Sequence, residues 1–480
     1  MVSMGDFKPT KEQVDAISMA STGKDLKILA FAGAAKTTTL EMVAKTLFFK
    51  KILYLAFNKS IAAEASKRFP FNVTCKTTHS LAYSAILGQS PEFKEKLNGR
   101  LTGMGVAKIL QLTSMAQCTP LTPSQYGSMV LATVANFSNS GYPEIHKKCV
   151  PLDAIYEMAA KKKVDVTQQL LLNIYADAKR LWRKMIDPND PTYITHDTYL
   201  KLYELSRPAL SQYDIIMLDE AQDSNGVVLS IVGHAKAQKI FVGDPYQQIY
   251  SWRGSVNAMD EIYTPQIAHL SQSFRFGKQV ASLASYILEE ELSCDRELRG
   301  FEKVADKIGR SDQPDCIIFR TNSGVIAEAI RQISANKKVH IIGDIAALIR
   351  LIDGVAELQT RNRTSHPELM DFISYQDFIE YTESEMGKDL AVIVKLIDEN
   401  GYAALKTALE AIQHNKEEDS DVILTTAHKS KGREFNAVKL GSDFKKIEEL
   451  AEARKNGKPF KVNAEEFNLL YVAITRAKTT

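Results

Sequence analysis

The sequence predicts an α/β chain of two parallel-sheet units, each interrupted by a mostly helical insertion. Three observations lead there. At 480 residues the chain has room for about three domain-sized units at roughly 150 residues each. Near its start, short apolar runs alternate with loops and helical patterns, the order that lays down a parallel sheet with crossover helices. The same alternation returns after one long helical stretch and is then split by a second. With 45% hydrophobic and 25% charged residues, the composition is that of a soluble globular chain and excludes a disordered scaffold or a fibrous protein.

Taken in order, a helix is expected from about Thr10 to Met19. The strand Ile28 to Phe31 then enters a small-residue loop and a helix from about Thr37. Ile52 to Phe57 is a second strand, followed by helical spacing from Ile61 to Arg68. From about Ala82 to Lys201 the pattern is almost wholly helical, clearest over Tyr175 to Met185, and reads as an insertion between strands. Strands return at Ile215 to Leu218 and Ile240 to Val242. They recur at Cys316 to Phe319, Val339 to Ile342, Val422 to Thr425 and Val438 to Leu440, with the helical stretch Ala346 to Asn415 dividing this later group. The charge-rich His414 to Asp421 reads as a linker or loop.

The apolar runs fall far short of the roughly 18 or more residues of a membrane span. Met1 to Thr10 lacks the apolar core of a secretory signal, so export is not expected. Lys and Arg number 60 against 58 for Asp and Glu, a net charge of +2, so any surface for a polyanion must be local. Cys75, Cys118, Cys149, Cys294 and Cys316 show no Cys-x-x-Cys spacing and are expected as reduced thiols in a cytosolic protein.

Ala32-Gly33-Ala34-Ala35-Lys36-Thr37-Thr38-Thr39 lies between a strand and a helix, with Lys36 and Thr37 in register with the Gly-x4-Gly-Lys-[Ser/Thr] phosphate loop. Small residues let backbone N–H groups converge on a β-phosphate, Lys36 would reach β and γ oxygens, and the Thr37 hydroxyl would hold Mg²⁺. Ala30 and Ala35 occupy the two glycine positions of the pattern. The residue before the lysine needs a backbone angle that a Cβ disfavours by roughly 1 to 2 kcal/mol, so weaker nucleotide binding or turnover is expected. Judged alone, the segment also fits a small-residue strand-to-helix turn with a chance Lys-Thr pair.

The strand Ile215 to Leu218 ends in Asp219-Glu220-Ala221-Gln222-Asp223, which sets two carboxylates at the carboxyl end of a buried strand, where α/β sheets bind ligands. Asp219 suits a Mg²⁺ contact, and Glu220 suits a base that orients or deprotonates the attacking water. By itself such a pair is equally a loop cap; beside the phosphate loop it reads as the other half of a nucleotide site.

The strand Ile240 to Val242 ends in Gly243-Asp244-Pro245-Tyr246-Gln247-Gln248-Ile249-Tyr250-Ser251-Trp252-Arg253-Gly254. This run resembles motif III of the UvrD/Rep-like superfamily 1 helicases, and Asp219 to Asp223 resembles their motif II. The other motifs follow in family order. Gln13 in Pro9-Thr10-Lys11-Glu12-Gln13 is similar to the Q motif, Ala56-Phe57-Asn58-Lys59 to motif Ia, and Thr77-Thr78-His79-Ser80-Leu81 to motif Ib. Gln272-Ser273-Phe274-Arg275 resembles motif IV, Thr426 to Phe435 (Thr-Ala-His-Lys-Ser-Lys-Gly-Arg-Glu-Phe) motif V, and Leu470 to Ala477 (Leu-Tyr-Val-Ala-Ile-Thr-Arg-Ala) motif VI. The wording is closest to the helicase part of F-box DNA helicases and their bacterial relatives, over about Phe7 to Lys478, although no segment reads as an F-box.

The resemblance implies two RecA-like motor domains. The first would comprise residues 1–81 and 202–275, with a helical insertion at 82–201. The second would comprise 276–345 and 416–480, with a short helical insertion at 346–415. It also implies ATP and Mg²⁺ as cofactors and a motor moving 3′ to 5′ on single-stranded or tailed duplex DNA. Gln13 would read adenine and Phe274 stack on it, while Glu434 would meet the ribose. Gly33, Ala34, Ala35 and Thr38 would line the phosphates with Lys36 and Thr37. Gln247, Arg275 and Arg476 would sense the γ-phosphate, the two guanidinium groups acting as arginine fingers do. Phe57, Asn58, His79, Trp252, His428 and Lys429 would contact DNA through base stacking and polar or basic groups.

Trp252 beside Arg253 equally fits a core aromatic. Trp182, within the basic Lys179 to Lys184, fits either a contact to DNA phosphates or a solvated helix face, and Lys161 to Lys163 fit a solvated face. The short 346–415 insertion implies that unwinding depends on a partner protein or on self-association. The chain stops at Thr480, just after motif VI, where family members add a closing strand, so a shortened chain or a less stable last unit is expected. Two other classes remain open: a nucleotide-gated single-stranded-DNA-binding module with weak ATPase, and the motor subunit of a repair or defence complex. Action in bacterial cytosol or nucleoid, or in a nucleus, is expected, with no membrane attachment.

Overall fold

The computed structural model describes residues 8–99, 101–112, 121–161, 165–249, 258–309, 313–370, 372, 374–382, 388–444 and 464–479. The chain divides into two units, Met1–Phe31 with Ala35–Leu270, and Ala32–Ala34 with Ser271–Thr480.

The first unit holds a six-stranded, wholly parallel sheet. Its strands are β1 (Leu26–Ala30), β2 (Ile52–Leu55), β3 (Val73–Lys76), β4 (Ile215–Leu218), β5 (Gln238–Gly243) and β6 (Gln266–Leu270). They lie in the order β3-β2-β4-β5-β1-β6. The central β2 and β4 are buried throughout and, apart from the Tyr54 hydroxyl, apolar, as strands covered on both faces must be. The loops after β1, β4 and β5, three neighbouring strands, are therefore brought together at the carboxyl edge of the sheet. The loops after β2 and β3 continue that edge outward. Between β3 and β4 the described chain is helical, with the long helices Pro123–Ser138 and Gln168–Ile186 packed on one another.

The second unit holds a four-stranded parallel sheet of β7 (Cys316–Phe319), β8 (Val339–Ile341), β9 (Val422–Thr426) and β10 (Val438–Leu440), in the order β10-β7-β9-β8. Among the described residues, four helices, from Ile345–Arg361 to Tyr402–Ile412, fall between β8 and β9.

The strands predicted from apolar runs are present, three of them with the expected ends and the others with ends moved by at most two residues; β3 and β6 were not anticipated. The charged His414 to Asp421 is a linker with one short 3-10 turn, Glu417–Asp419. Cys75, Cys149, Cys294 and Cys316 are free thiols; Cys118 lies outside the described residues. Among those residues no helix is long and apolar enough to cross a membrane.

Candidate active site

The helix Lys36–Thr46 begins at Ala35 without a side-chain cap, so its first N–H groups are open to an anion. Ala35 sits at φ 56° and ψ 42°, the left-handed conformation that the glycine pattern predicts and that costs a residue with a Cβ about 1–2 kcal/mol. Gly33 is also left-handed, at φ 72°. A Cβ there would lie 2.4 Å from Ser273 Oγ, so only glycine fits. In this segment, which groups with the second unit, the Ala32 N–H donates to Tyr471 Oη (3.0 Å) and the Phe274 N–H to the Gly33 carbonyl (2.9 Å).

Within the first unit, Lys36 Nζ lies 2.8 Å from Glu220 Oε1. Burial pushes the lysine pKa down, but Glu220, Asp219 and Asp244 outweigh it and hold the ammonium above its ordinary value. Asp219, 5% exposed, is pushed up to about 6 by burial and by Glu220, with Lys36 and Tyr54 opposing. The Tyr54 hydroxyl on β2 donates to Asp219 Oδ2, and the Asp219 N–H donates to the Leu55 carbonyl. Glu220 is left-handed at φ 50°, which turns its side chain away from the strand direction. Gln222 Nε2 donates to Glu220 Oε2 (2.5 Å), and Gln222 Oε1 accepts the Asp244 N–H (3.1 Å). A Cβ on Gly243 would come within 2.3 Å of that amide oxygen, so the β5 loop closes on Gln222 only with glycine there. Gln247 Nε2 donates to Asp244 Oδ2 (2.6 Å).

Lys36, Asp219, Glu220 and Gln247 are thus gathered by one edge of one sheet. Tyr54, Gln222 and Asp244 belong to the same network and were not anticipated as site residues. Asp244 carries the signal that marked Asp219, an acid just past a strand. Tyr54 carries a subtler one, a single polar tip in an otherwise aliphatic buried strand.

Gln13 is buried in a capping box with Thr10, and its Nε2 donates to Thr39 Oγ1 (3.1 Å), tying the first helix to the one that follows the phosphate loop. Thr38 Oγ1 accepts from Arg68 Nη2 (3.1 Å). Ala34 lies in the loop and Thr37 in the first turn of the helix Lys36–Thr46.

In the second unit, Arg275 donates through Nε to Glu434 Oε1 (2.8 Å) and through Nη1 to the Thr475 carbonyl (2.9 Å). Arg275 and Lys478 together hold the Glu434 carboxyl below its usual range against the opposing effect of burial. Arg476 is 2% exposed and donates through Nε to the Val472 carbonyl (2.9 Å). Phe274 packs edge-on to Phe301. His428 and Lys429 follow β9 on the short helix Ala427–Ser430, and Lys429 runs along Gly343, where a Cβ would lie 2.7 Å from its Nζ.

Phe57, Asn58 and His79 share a groove of about 740 Å³ in the first unit, whose floor reaches Asp219. Phe57 is 44% exposed. Asn58 Oδ1 caps the helix Lys59–Arg68 by accepting the Ile61 N–H. His79 Nε2 stands 3.5 Å from Asp197 Oδ1. Asn139, His196 and Asp197, from the helical stretch before β4, line the same groove and were not anticipated, because they lie far from any motif in sequence.

Trp252 and Arg253 fall outside the described residues, as do Lys162 and Lys163 and the side chain of Lys161. Trp182 requires a correction. It neither faces solvent nor offers itself to phosphates but is buried edge-on to Phe137 (5.1 Å), while Arg180 pairs with Asp177 and Lys184 with Asp190.

A family model described as the UvrD/REP helicase N-terminal domain matches residues 10–262, and one described as the UvrD-like helicase C-terminal domain matches residues 215–480. The chain is 31% identical to F-box DNA helicase 1 of Gallus gallus, over 99% of this chain and 49% of that protein. It is 32% identical to F-box DNA helicase protein 1 of Schizosaccharomyces pombe, over 95% of this chain and 55% of that one. It is 23% identical to a probable DNA helicase II homolog of Rickettsia felis, over 75% and 56%. The chain spans about half the length of these curated relatives.

Proposed function

Because this chain belongs to the UvrD/REP helicase family, we propose that it is a DNA-dependent ATPase that moves 3′ to 5′ on single-stranded DNA and couples hydrolysis to duplex unwinding or protein displacement. The observation that carries this reading is the Lys36–Glu220 ion pair beside buried Asp219, on the same sheet edge as the Phe57 groove.

The residues present fit ATP with Mg²⁺. An uncapped helix start preceded by two left-handed residues suits a β-phosphate. A buried carboxylate with a raised pKa suits a cation, and Mg²⁺ commonly takes only one or two carboxylates, with phosphate oxygens and water completing its shell. Thr37 and Asp219 would hold that ion, which would supply positive charge to offset the phosphate charge.

Lys36 exchanges Glu220 for phosphate oxygens. Glu220, released from the ammonium and still held by Gln222, turns to the attacking water as base. Gln247, Arg275 and Arg476 are assigned to the γ-phosphate, Gln13 and Phe274 to adenine, and Glu434 to the ribose. Each of these assignments rests on motif position. Phe57, Asn58, His79, Trp252, His428 and Lys429 are assigned to DNA, with the exposed Phe57 ring available for stacking. Unwinding would draw on a partner protein or a second copy, in cytosol, nucleoid or nucleus. Motor work inside a repair or defence complex is compatible with the same site.

The test is ATP hydrolysis with and without oligothymidylate, followed by strand displacement on tailed duplexes of both polarities. We expect stimulated hydrolysis, and unwinding only from a 3′ tail. Lys36→Ala should lower stimulated turnover by at least about 100-fold; unchanged turnover would remove the site. One observation favours a second reading, a DNA-binding module gated by nucleotide with slow turnover: Ala35 holds its left-handed angle at a cost. Ala35→Gly relieves about 1–2 kcal/mol of that strain and should raise turnover or nucleotide affinity up to about tenfold. No change would show that the loop is not what limits this enzyme.

A further inference from the structure

At the opposite end of the first sheet from the site, Phe48 is 60%, Phe49 66% and Phe71 92% exposed. Phe48 and Phe49 meet edge to face, with ring centroids 5.8 Å apart. Asn72, next to Phe71, donates its side-chain amide to the carbonyls of Ala44 (3.3 Å), Leu47 (3.1 Å) and Lys50 (3.0 Å). The loop bearing Phe71 is thereby stitched to the turn bearing Phe48 and Phe49. An aromatic side chain can bury about 150–250 Å², so these three leave roughly 400 Å² of ring surface in water, within the range of the largest apolar patch on a typical monomer, which is often functional.

The surroundings of these rings are basic. Lys45, Lys51 and Lys67 are exposed and Lys50 half-buried; Lys45 Nζ pairs with Glu41 at 2.7 Å, and Lys50 Nζ lies 5.7 Å from the Phe49 ring centroid. Lys51 and Lys67 pair with no carboxylate among the described residues. Asp214, the acid beside Lys50 at 3.9 Å, also accepts the Lys51 N–H.

Lys51 immediately precedes β2, and Phe71 and Asn72 precede β3, whereas Phe57 and His79 lie beyond the carboxyl ends of those strands. Four residues of strand at about 3.3 Å each put roughly 13 Å between the two edges. DNA seated in the Phe57 groove therefore does not account for these rings.

We propose that Phe48, Phe49 and Phe71 form a docking surface for an acidic peptide segment that carries large apolar side chains. The rings supply apolar anchors and the lysines complement carboxylates. Asn72 fixes the two segments before binding, which limits the ordering cost. A second copy of this chain would set the same lysines against one another, which disfavours a self-association through this face. The inference does not depend on the motor reading.

The test uses the full chain and a short fluorescein-labelled synthetic peptide of glutamate, aspartate, leucine and phenylalanine, followed by anisotropy. Micromolar binding that weakens with salt is expected. The double variant Phe48→Ser/Phe71→Ser should bind at least about tenfold more weakly with ATP hydrolysis and melting temperature unchanged, and a peptide with lysine in place of each acid should not bind. The proposal is overturned by absence of binding, by equal affinity of variant and parent, by equal binding of the lysine peptide, or by displacement of the peptide with oligothymidylate. It is likewise overturned if sedimentation shows Phe-dependent self-association, or if the same rings take the chain to anionic vesicles more tightly than to the peptide.

Discussion

Glu220→Gln is expected to lower ATP turnover by about 10²- to 10⁴-fold, the contribution typical of a general base, while tightening nucleotide binding. The two effects have one structural cause. Glu220 is the partner of Lys36 at 2.8 Å, so a triphosphate must break that ion pair and approach a carboxylate. Glutamine keeps the shape, removes the charge and leaves the lysine free for phosphate. A gain of about tenfold in affinity corresponds to about 1.4 kcal/mol, close to the lower end of what a hydrogen bond to a charged group contributes. Gln222 remains in place as a neighbour, so the loop itself should hold. Stopped-flow binding of a fluorescent ATP analogue, beside steady-state hydrolysis at saturating oligothymidylate, separates the two quantities. If affinity and turnover fall together, Glu220 is holding Lys36 in place rather than acting on water.

Lys201→Met should destabilise the first unit by about 3–5 kcal/mol, the cost of leaving one partner of a buried ion pair behind. Lys201 is fully buried. Its ammonium donates to Glu204 Oε2 (2.7 Å) and to the carbonyls of Ser140 (2.9 Å) and Tyr142 (2.6 Å), and lies 4.6 Å from the Phe137 ring centroid. Glu204 Oε1 in turn accepts from Ser230 Oγ (2.6 Å). One lysine therefore joins the helix His196–Leu205, the segment after Phe137 and the helix Gly226–His234. Methionine fills the volume but leaves a carboxylate and two carbonyls without their donor. For a unit of this size the melting temperature should drop by roughly 10 °C. The double variant Lys201→Met/Glu204→Leu should recover part of that loss, because the orphaned charge is gone. Asn139 precedes the clamped segment and bonds Asn225 across the groove (2.6 Å), so weaker DNA binding should accompany the loss of stability. A calorimetric scan showing a shift of only a degree or two would mean that water replaces the ammonium.

How much of this could be read from the residues depended on where each strand lies in its sheet. β2, β4 and β7 are fully buried, mostly apolar runs because both of their faces are covered, and they were legible from sequence. β3 and β6 are the two edges of the larger sheet. Each is only partly buried, so Val73-Thr74-Cys75-Lys76 and Gln266-Ile267-Ala268-His269-Leu270 carry no continuous apolar signal. Trp182 misled for a related reason. Most of its sequence neighbours are basic, but one helical turn away on either side lie the buried Ala178 and Met185, and spacing was the better guide. The phosphate loop and the acidic pair were legible because their chemistry is local. Gln222 sits inside that acidic motif but its role shows only in its bonds to Glu220 and Asp244, whereas Tyr54, Asn139 and His196 reach the site from segments that only the folded topology brings there.

One consequence of the β2–β4 pairing concerns Asp219. Its main-chain N–H is fixed by Leu55 and its carboxylate by the phenol of Tyr54, two consecutive residues of one strand. An acid tethered at both ends has little rotational freedom left to surrender when a cation arrives, because that entropy was lost as the sheet assembled. Affinity for the proposed ion would in this sense be a property of strand registry, set before any ligand is met.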